Sequence, residues 1–341
     1  MNHPQAYASI LSQVVNGENL SAAQAHAAFG AIMDGQWSEA QIAGLLVAMA
    51  VKGHSVDEIA GAARAMREHA TAIDAHGRDV VDTCGTGGTG ISTFNISTAA
   101  ALVAAGAGVA VAKHGNRTHT RASGSADVLA ALGVNIQASA ETAARCLREA
   151  GVCFCFAVTC HPAMRYAGPV RKALAVRTIF NLLGPLTNPA GAQRQVMGVF
   201  DAALTETIAR VLASLGAVRA FVVHADDGLD EISTTCPTRV TELHESNIVT
   251  CTVEPDDFGL ARARSEDLMV SSAAESAGII RDVLSGKKGP ARDIVLLNAA
   301  AAIAVAGKAD DIGGAIPLAA KSIDSRAAGA ALEKLIAISN S

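Results

Sequence analysis

Between Asp82 and Thr98 the chain reads Asp-Thr-Cys-Gly-Thr-Gly-Gly-Thr-Gly-Ile-Ser-Thr-Phe-Asn-Ile-Ser-Thr, and this stretch limits the folds open to it. Four glycines in six positions let the backbone approach a ligand to hydrogen-bond distance, and the Thr, Asn and Ser residues that follow supply short donors without positive charge. The β-branched pair Val80-Val81 precedes the loop and an Ala-rich segment, 99–105, follows it. Strand, loop and helix in that order aim the N–H groups of a helix start at an anion, the signature of a phosphate grip. A second polar cluster, Lys113-His-Gly-Asn-Arg117, closes the next predicted strand.

Gly85, Gly87 and Gly90 also satisfy the dinucleotide fingerprint G-x-G-x-x-G, a weak signal alone. A dinucleotide site needs an acid about 20 residues further on for the ribose hydroxyls. Residues 106–112 contain none and run into Lys113, which argues against that reading.

From about residue 80, segments with strand character (80–82, 109–112, 152–158, 195–200 and 220–224) alternate with Ala-rich helical ones such as 98–105, 140–150 and 203–215. The alternation predicts a mainly parallel sheet covered by helices, with ligands at the carboxyl ends of its strands. Aromatics are only 3% against 50% hydrophobic residues, so Ala, Val, Leu and Ile must form the core. The glycine loop, the Lys113 cluster and the acidic segment 226–231 all fall at the same predicted edge.

The first 70 residues follow another pattern. Ser21 with Gln24, Ser38 with Gln41 and Ser55 with Glu58 each fit a capping box, predicting a series of short antiparallel helices. Nothing catalytic is visible there, and so small a helical unit is expected to complete its burial against another domain or subunit. The fold class is therefore α/β: a small N-terminal all-helical domain, then a large domain with a mainly parallel central sheet covered by helices.

A net charge of −5 gives no electrostatic footprint for nucleic acid. Seven cysteines, an odd number without a C-x-x-C pair, point to a reducing compartment, and Cys153 and Cys155 read as buried thiols. No signal peptide and no apolar run of roughly 20 residues is visible, so a cytoplasmic location is expected.

Two further segments carry candidate chemistry. Residues 161–189 interrupt the alternation and place Arg171 and Arg177 in one predicted helix between Pro169 and Pro185. One of these arginines is expected to face a ligand, and a guanidinium fork suits a carboxylate. Asp230-Glu231 follows a strand by a short loop, and adjacent carboxylates there suit a hard cation such as magnesium. Asp226 and Asp227 read as a solvated acidic turn.

Taken together, Gly85-Thr-Gly-Gly, Thr93-Phe-Asn-Ile-Ser-Thr98, Lys113-His-Gly-Asn-Arg117, Ser123-Gly-Ser-Ala-Asp127, the block Arg177 to Pro189 and Gly228-Leu-Asp-Glu-Ile-Ser233 resemble the signature segments of the anthranilate phosphoribosyltransferase family. The resemblance runs through nearly the whole chain. It implies transfer of a phosphoribosyl group from phosphoribosyl diphosphate to the amine of anthranilate, with release of diphosphate, in tryptophan biosynthesis. It also implies a helical domain over 1–73, with 163–188 packing back onto it, a catalytic domain over 74–341, magnesium at two ions per site, and a homodimer formed through the helical domain.

Carried across position by position, the resemblance places phosphoribosyl diphosphate among Gly85, Gly88, Thr89, Thr93, Asn95, Ile96, Ser97, Thr98, Lys113, His114, Gly115, Asn116, Arg117, Thr118, His119, Thr120, Arg121 and Ser125. Anthranilate would meet Gly85, His114, Asn116, His161 and Arg171. Ser97, Asp230 and Glu231 would touch magnesium. The chain departs from the family at Thr89, where many relatives carry Asp, and over Thr118-His-Thr-Arg-Ala122, where many have a Ser-rich run; both changes make the site more positive. Val158 for a frequent proline and Ala175 for a frequent glycine read as packing changes. Two other classes compete: a pyrimidine nucleoside phosphorylase-like enzyme using inorganic phosphate, and a non-catalytic nucleic-acid-binding relative. The Arg177 to Pro189 block and the Asp-Glu pair speak against the first, the acidic balance against the second.

Overall fold

The computed structural model describes residues 3–118 and 122–341. Four helices open the chain: α1 (His3–Val15), α2 (Ala22–Met33), α3 (Glu39–Lys52) and α4 (Val56–Glu68). Ser21, Ser38 and Ser55 cap the last three in extended conformation, and Gln24, Gln41 and Glu58 reach back to the cap amides, so all three capping boxes close. Glu58 does more than cap. Fully buried, it also accepts from the Leu20 amide at 3.0 Å and from Lys52 Nζ at 2.9 Å, tying α4 to the start of α2 and the end of α3.

Seven strands form one sheet: β1 (Val80–Asp82), β2 (Ala110–Gly115), β3 (Val152–Phe156), β4 (Arg194–Gly198), β5 (Arg219–Ala225), β6 (Thr238–His244) and β7 (Asn247–Val253). Their order is β3-β2-β1-β4-β5-β6-β7; the first five are mutually parallel, whereas β6 and β7 add an antiparallel hairpin. All five expected strands are present, β1 with the expected bounds and the other four with shifted ends. β3 stops at Phe156, because residues Ala157–Cys160 turn into a short helix.

Two cores sandwich the sheet. One joins Val111, Phe154 and Val223 to the helices Ile96–Gly106 (α5), Pro290–Val305 and Ala327–Ser339. The other joins α2, α3 and α4 to Met197 and Val222 of the sheet, to Ile208 and Leu212 of the helix Leu204–Ser214, and to Val170, Phe180 and Leu183. Phe29 of α2 meets Phe180 edge-on, with ring centroids 5.6 Å apart.

The helix expected to carry both Arg171 and Arg177 is a correction. It spans only Gly168–Leu174 and ends at Ala175, whose φ of 52° lies in the left-handed region, so Arg177 falls outside it. No helix among the described residues is long and apolar enough to cross a membrane.

The strand order places the site. After β1 the chain moves outward to β2 and β3, then returns to the other side of β1 to lay down β4 and β5. The carboxyl ends of β1 and β4 therefore flank the crevice of a topological switch point, where ligands of open parallel sheets bind.

Candidate active site

The glycine loop leaves β1 at this crevice. Its entry is fixed by the Thr86 amide, which donates to Gly198 O at 2.8 Å, and by the Gly87 amide, which donates to Asp230 Oδ2 at 2.8 Å. Its exit is fixed where the Phe94 amide donates to Leu268 O at 2.9 Å. At Gly85 a Cβ would meet Asp230 Oδ2 at 2.5 Å, so the carboxylate would have to swing away from the loop. At Gly198 a Cβ would run into the backbone carbonyl of Asp230. These two glycines let the loop after β5 close down on the ends of β1 and β4.

Asp230 and Glu231 are both buried there, and with Thr83, Gly85, Ser97, Gly198 and Asn298 they line one cleft. Asn298 accepts from the Ile232 amide at 2.9 Å and donates to Ile232 O at 2.8 Å, holding the chain just past the carboxylate pair. The donor set is all hard oxygen: two carboxylates and the Ser97 hydroxyl. Magnesium commonly binds through one or two carboxylates plus waters and substrate phosphates, and this cleft fits it. Among the described residues no group of three or more His, Cys, Asp or Glu is placed to hold a metal ion, so waters and substrate would have to complete the coordination.

Ile96, Ser97 and Thr98 form the first turn of α5, where the Ile96 amide donates to Phe94 O at 2.8 Å and the Thr98 amide to Asn95 O at 3.1 Å. Lys113, nearly fully buried in β2, donates to Ser97 Oγ at 3.2 Å and to Thr83 O at 3.0 Å. Thr98 Oγ1 is buried without a hydrogen-bond partner among the described residues. Asn95 is held by its neighbours: its Oδ1 accepts from Ser123 Oγ at 2.6 Å and Ser276 Oγ at 2.9 Å. Thr93 is buried and pairs with Met269 in an isolated bridge. Gly88 and Thr89 lie toward the loop tip.

Gly115 ends β2 with Ser125 Oγ against it, and Ser125 in turn donates to Asn116 O at 3.4 Å. Asn116 and Arg117 are exposed. Arg117 pairs with Asp127 at 2.9 Å. Thr118 is half-buried, while the expectations for His119, Thr120 and Arg121 lie outside the described residues.

His114 and His161 are brought together from β2 and the start of the crossover, with Nε2 atoms 3.2 Å apart and both rings buried. Burial, together with the neighbouring His161, pushes His114 down to about 3, and burial pushes His161 down to about 4. Both rings are therefore neutral at pH 7, one donating to the other. Arg171 is half-buried, with its guanidinium carbon 5.4 Å from the Phe180 ring centroid. Burial lowers its pKa without discharging it near neutrality.

Two residues of the site escaped the sequence reading. Asp82, fully buried, accepts from the His114 amide at 3.1 Å and from Asn188 Nδ2 at 2.7 Å, so it sets the end of β2 against β1. Burial raises its pKa to about 6, against the opposing pull of Asn188, Lys113 and the His114 amide. An acid closing an apolar strand was the available signal for Asp82; Asn188 was legible only as part of an Asn-Pro turn. Asp227 corrects the expectation of a solvated turn. Burial opposes its ionisation, but hydrogen bonds from Thr235, the Leu229 amide and Ser233 outweigh it and lower the pKa. Asp226 is exposed, as expected.

Residues 77–331 match the family described as "Glycosyl transferase family, a/b domain", and residues 8–70 match its "helical bundle domain". The chain belongs to this glycosyl transferase family. Within it, the chain is 53% identical over 327 residues to the anthranilate phosphoribosyltransferase of Moorella thermoacetica, covering 96% of both chains. It is 52% identical to that of Symbiobacterium thermophilum, again with 96% of both covered. The crystal structure of the Thermus thermophilus anthranilate phosphoribosyltransferase superposes with a TM-score of 0.93 at 43% identity, covering 97% of this chain and 99% of that one. The Saccharomyces cerevisiae enzyme in complex with PRPP and Mg gives a TM-score of 0.89 at 28% identity, covering 98% of each. Membership at this identity over the full length places the chain among the anthranilate phosphoribosyltransferases of the family.

Proposed function

We propose that the chain transfers the 5-phosphoribosyl group of phosphoribosyl diphosphate to the amine of anthranilate, giving N-(5-phosphoribosyl)anthranilate and diphosphate, in tryptophan biosynthesis. The observation that supports this reading most directly is the meeting of a glycine loop, a helix start and the buried Asp230-Glu231 pair in one cleft at the switch point of the sheet. Relatives over the full chain carry the same activity in their names, and the yeast structures include one with PRPP and Mg and one with 4-fluoroanthranilate.

In this reading the N–H groups of the loop and the Ser97 amide in the first turn of α5 hold the phosphates, with the side chains of Ser97, Lys113 and Ser125 around them. Asp230, Glu231 and the Ser97 hydroxyl hold magnesium, in the paired-ion arrangement expected from the resemblance. Bound magnesium supplies charge neutralisation to the departing diphosphate. Lys113 contributes a cation that its partners fix in one place, so little reorganisation is needed as charge develops. His114 and His161, neutral at pH 7, offer a polar but uncharged wall, which leaves Arg171 as the cation for the anthranilate carboxylate. The arylamine is already neutral near pH 7, so attack on the anomeric carbon needs no strong base. Positioning therefore carries much of the catalysis.

The enzyme acts as a homodimer formed through its helical segment and works in the cytoplasm; all seven cysteines are free, as a reducing compartment would leave them. The test is a fluorescence assay for phosphoribosylanthranilate with and without added magnesium. Product should form only with both substrates and the metal. Replacing Asp230 with Asn and Glu231 with Gln together should abolish turnover at ordinary magnesium concentrations, and unchanged activity in that double variant would remove the metal assignment.

A further inference from the structure

Arg177, which the reading above leaves without a role, meets the glycine loop from outside. The left-handed Ala175 ends the preceding helix and throws the chain outward. Thr178 then returns to the interior, its amide donating to Asn181 Oδ1 at 2.9 Å, and Ile179 and Phe180 are buried in the core shared with the N-terminal helices. The root of Arg177 is thus fixed. Its side chain is exposed, yet it lies in one defined place: the guanidinium carbon is 4.3 Å from the centroid of the Phe200 ring, and Nη2 donates to Gly88 O at 2.8 Å.

Gly88 lies in the glycine run between the fixed ends of the loop. Entry, as far as the Gly87 amide, and exit are pinned to Gly198, Asp230 and Leu268, but between them run Gly88 and Gly90, both with positive φ. Glycine loses the most conformational freedom on being ordered, so a loop tip of this kind wanders unless something outside it holds a carbonyl. A planar guanidinium stacked on an aromatic ring is suited to that task, because the ring fixes its plane and the fork then donates in a set direction.

We propose that Arg177 is a positioning residue that, with Phe200 as its platform, latches the tip of the glycine loop at Gly88 and so keeps the diphosphate-binding backbone preformed. The latch acts on binding and not on the chemical step. It rests on the proposed phosphoribosyl transfer only for the identity of the anion. Its two halves come from different parts of the fold, since Phe200 follows β4 while Arg177 belongs to the crossover packed on the helices. Loop order is thereby coupled to the seating of that crossover.

Arg177→Ala and Phe200→Leu test it through hydrogen–deuterium exchange of the substrate-free protein and steady-state kinetics. Both variants should speed exchange over residues 86–91 about tenfold, the equivalent of one charge-assisted hydrogen bond, and leave β1 and α5 unchanged. Both should raise KM for phosphoribosyl diphosphate by a similar factor, with kcat and the KM for anthranilate within twofold of the parent. The double variant should be no worse than either single one. A raised KM in Arg177→Ala with no change in loop exchange, or a silent Phe200→Leu beside a defective Arg177→Ala, would show that Arg177 touches the anion directly and would overturn the latch. Exchange that rises throughout the crossover and helices would mark a merely structural residue and overturn it as well. If the parent protein made no phosphoribosylanthranilate, the proposed reaction would fail while the exchange result still decided the latch.

Discussion

A flat aromatic acid must be oriented by one end while the other stays open to the anomeric carbon, and among the residues assigned to anthranilate only Arg171 carries a positive charge at pH 7. His114 and His161 cannot share that role, because burial keeps both rings neutral. Arg171→Ala should therefore raise the KM for anthranilate roughly tenfold to a hundredfold, the loss of a charge-assisted pair of about 1.5–3 kcal/mol, with the KM for phosphoribosyl diphosphate nearly unchanged. If both constants rise together, Arg171 is structural. The histidines give a second, independent readout. Their folded pKa values, about 3 and about 4, lie below the unfolded value, so the unfolded chain takes up two protons that the folded one refuses as pH falls below about 6.5. Asp82, raised to about 6, acts oppositely and returns one proton to the folded side between pH 6 and 4. The net of one proton means that these groups cost about 1.4 kcal/mol of stability per pH unit over that window. Urea titrations from pH 7 to 4.5 should show the decline, and His161→Gln should remove about that much slope; a variant as steep as the parent would count against the neutral pair.

At the scale of elements, the site depends on two close approaches that glycine permits. The loop after β5 presses its backbone on the end of β4 at Gly198, and its Asp230 carboxylate on Gly85. Gly198→Ala should push Asp230 away from the loop, cost at least 1–3 kcal/mol as an overpacked site, and raise the magnesium requirement for activity. Unchanged magnesium dependence, measured by titrating the metal against turnover, would show that the loop has room to shift. Most of the elements that build this edge were legible in sequence, because Ser-x-x-Gln and Ser-x-x-Glu caps, the alternation of β-branched and Ala-rich segments, and the glycine run each have a local cause. Three features were not. The hairpin β6–β7 turns at Glu245, which adopts a φ of 56° where Asn or Gly would have announced the turn, and β7 is largely exposed and shows no buried alternation. Helix Gly168–Leu174 stops at Ala175, whose φ of 52° is the conformation a glycine there would favour, so this departure concerns the backbone and is not the packing change expected of it. The Asp82–Asn188 contact joins residues 106 positions apart, and such pairing is fixed only by the folded sheet.

At the scale of the whole molecule, the N-terminal helices bury one side against the sheet and the crossover but leave apolar side chains on the other. Val47 and Val51 stand one turn apart on α3 at 41% and 85% exposure, and Val15 at the end of the adjacent α1 is 67% exposed. Two valines at i and i+4 share a helix face, and a second copy of the chain covering that face would account for their exposure. The proposed homodimer therefore makes α1 and α3 its contact. Light scattering should give twice the mass of 34.6 kDa at micromolar protein. Replacing Val47 and Val51 with Glu should leave the fold intact, since neither side chain is in a core cluster, while removing apolar burial of about 1.5 kcal/mol or more per valine and placing charges in the seam. The dimer dissociation constant should then rise by at least about a hundredfold, the equivalent of about 3 kcal/mol. Unaltered circular dichroism would confirm that assembly and not folding has been lost. A parent protein that is monomeric at every concentration, or a double variant that dimerises as tightly as the parent, would place the exposed valines outside any interface.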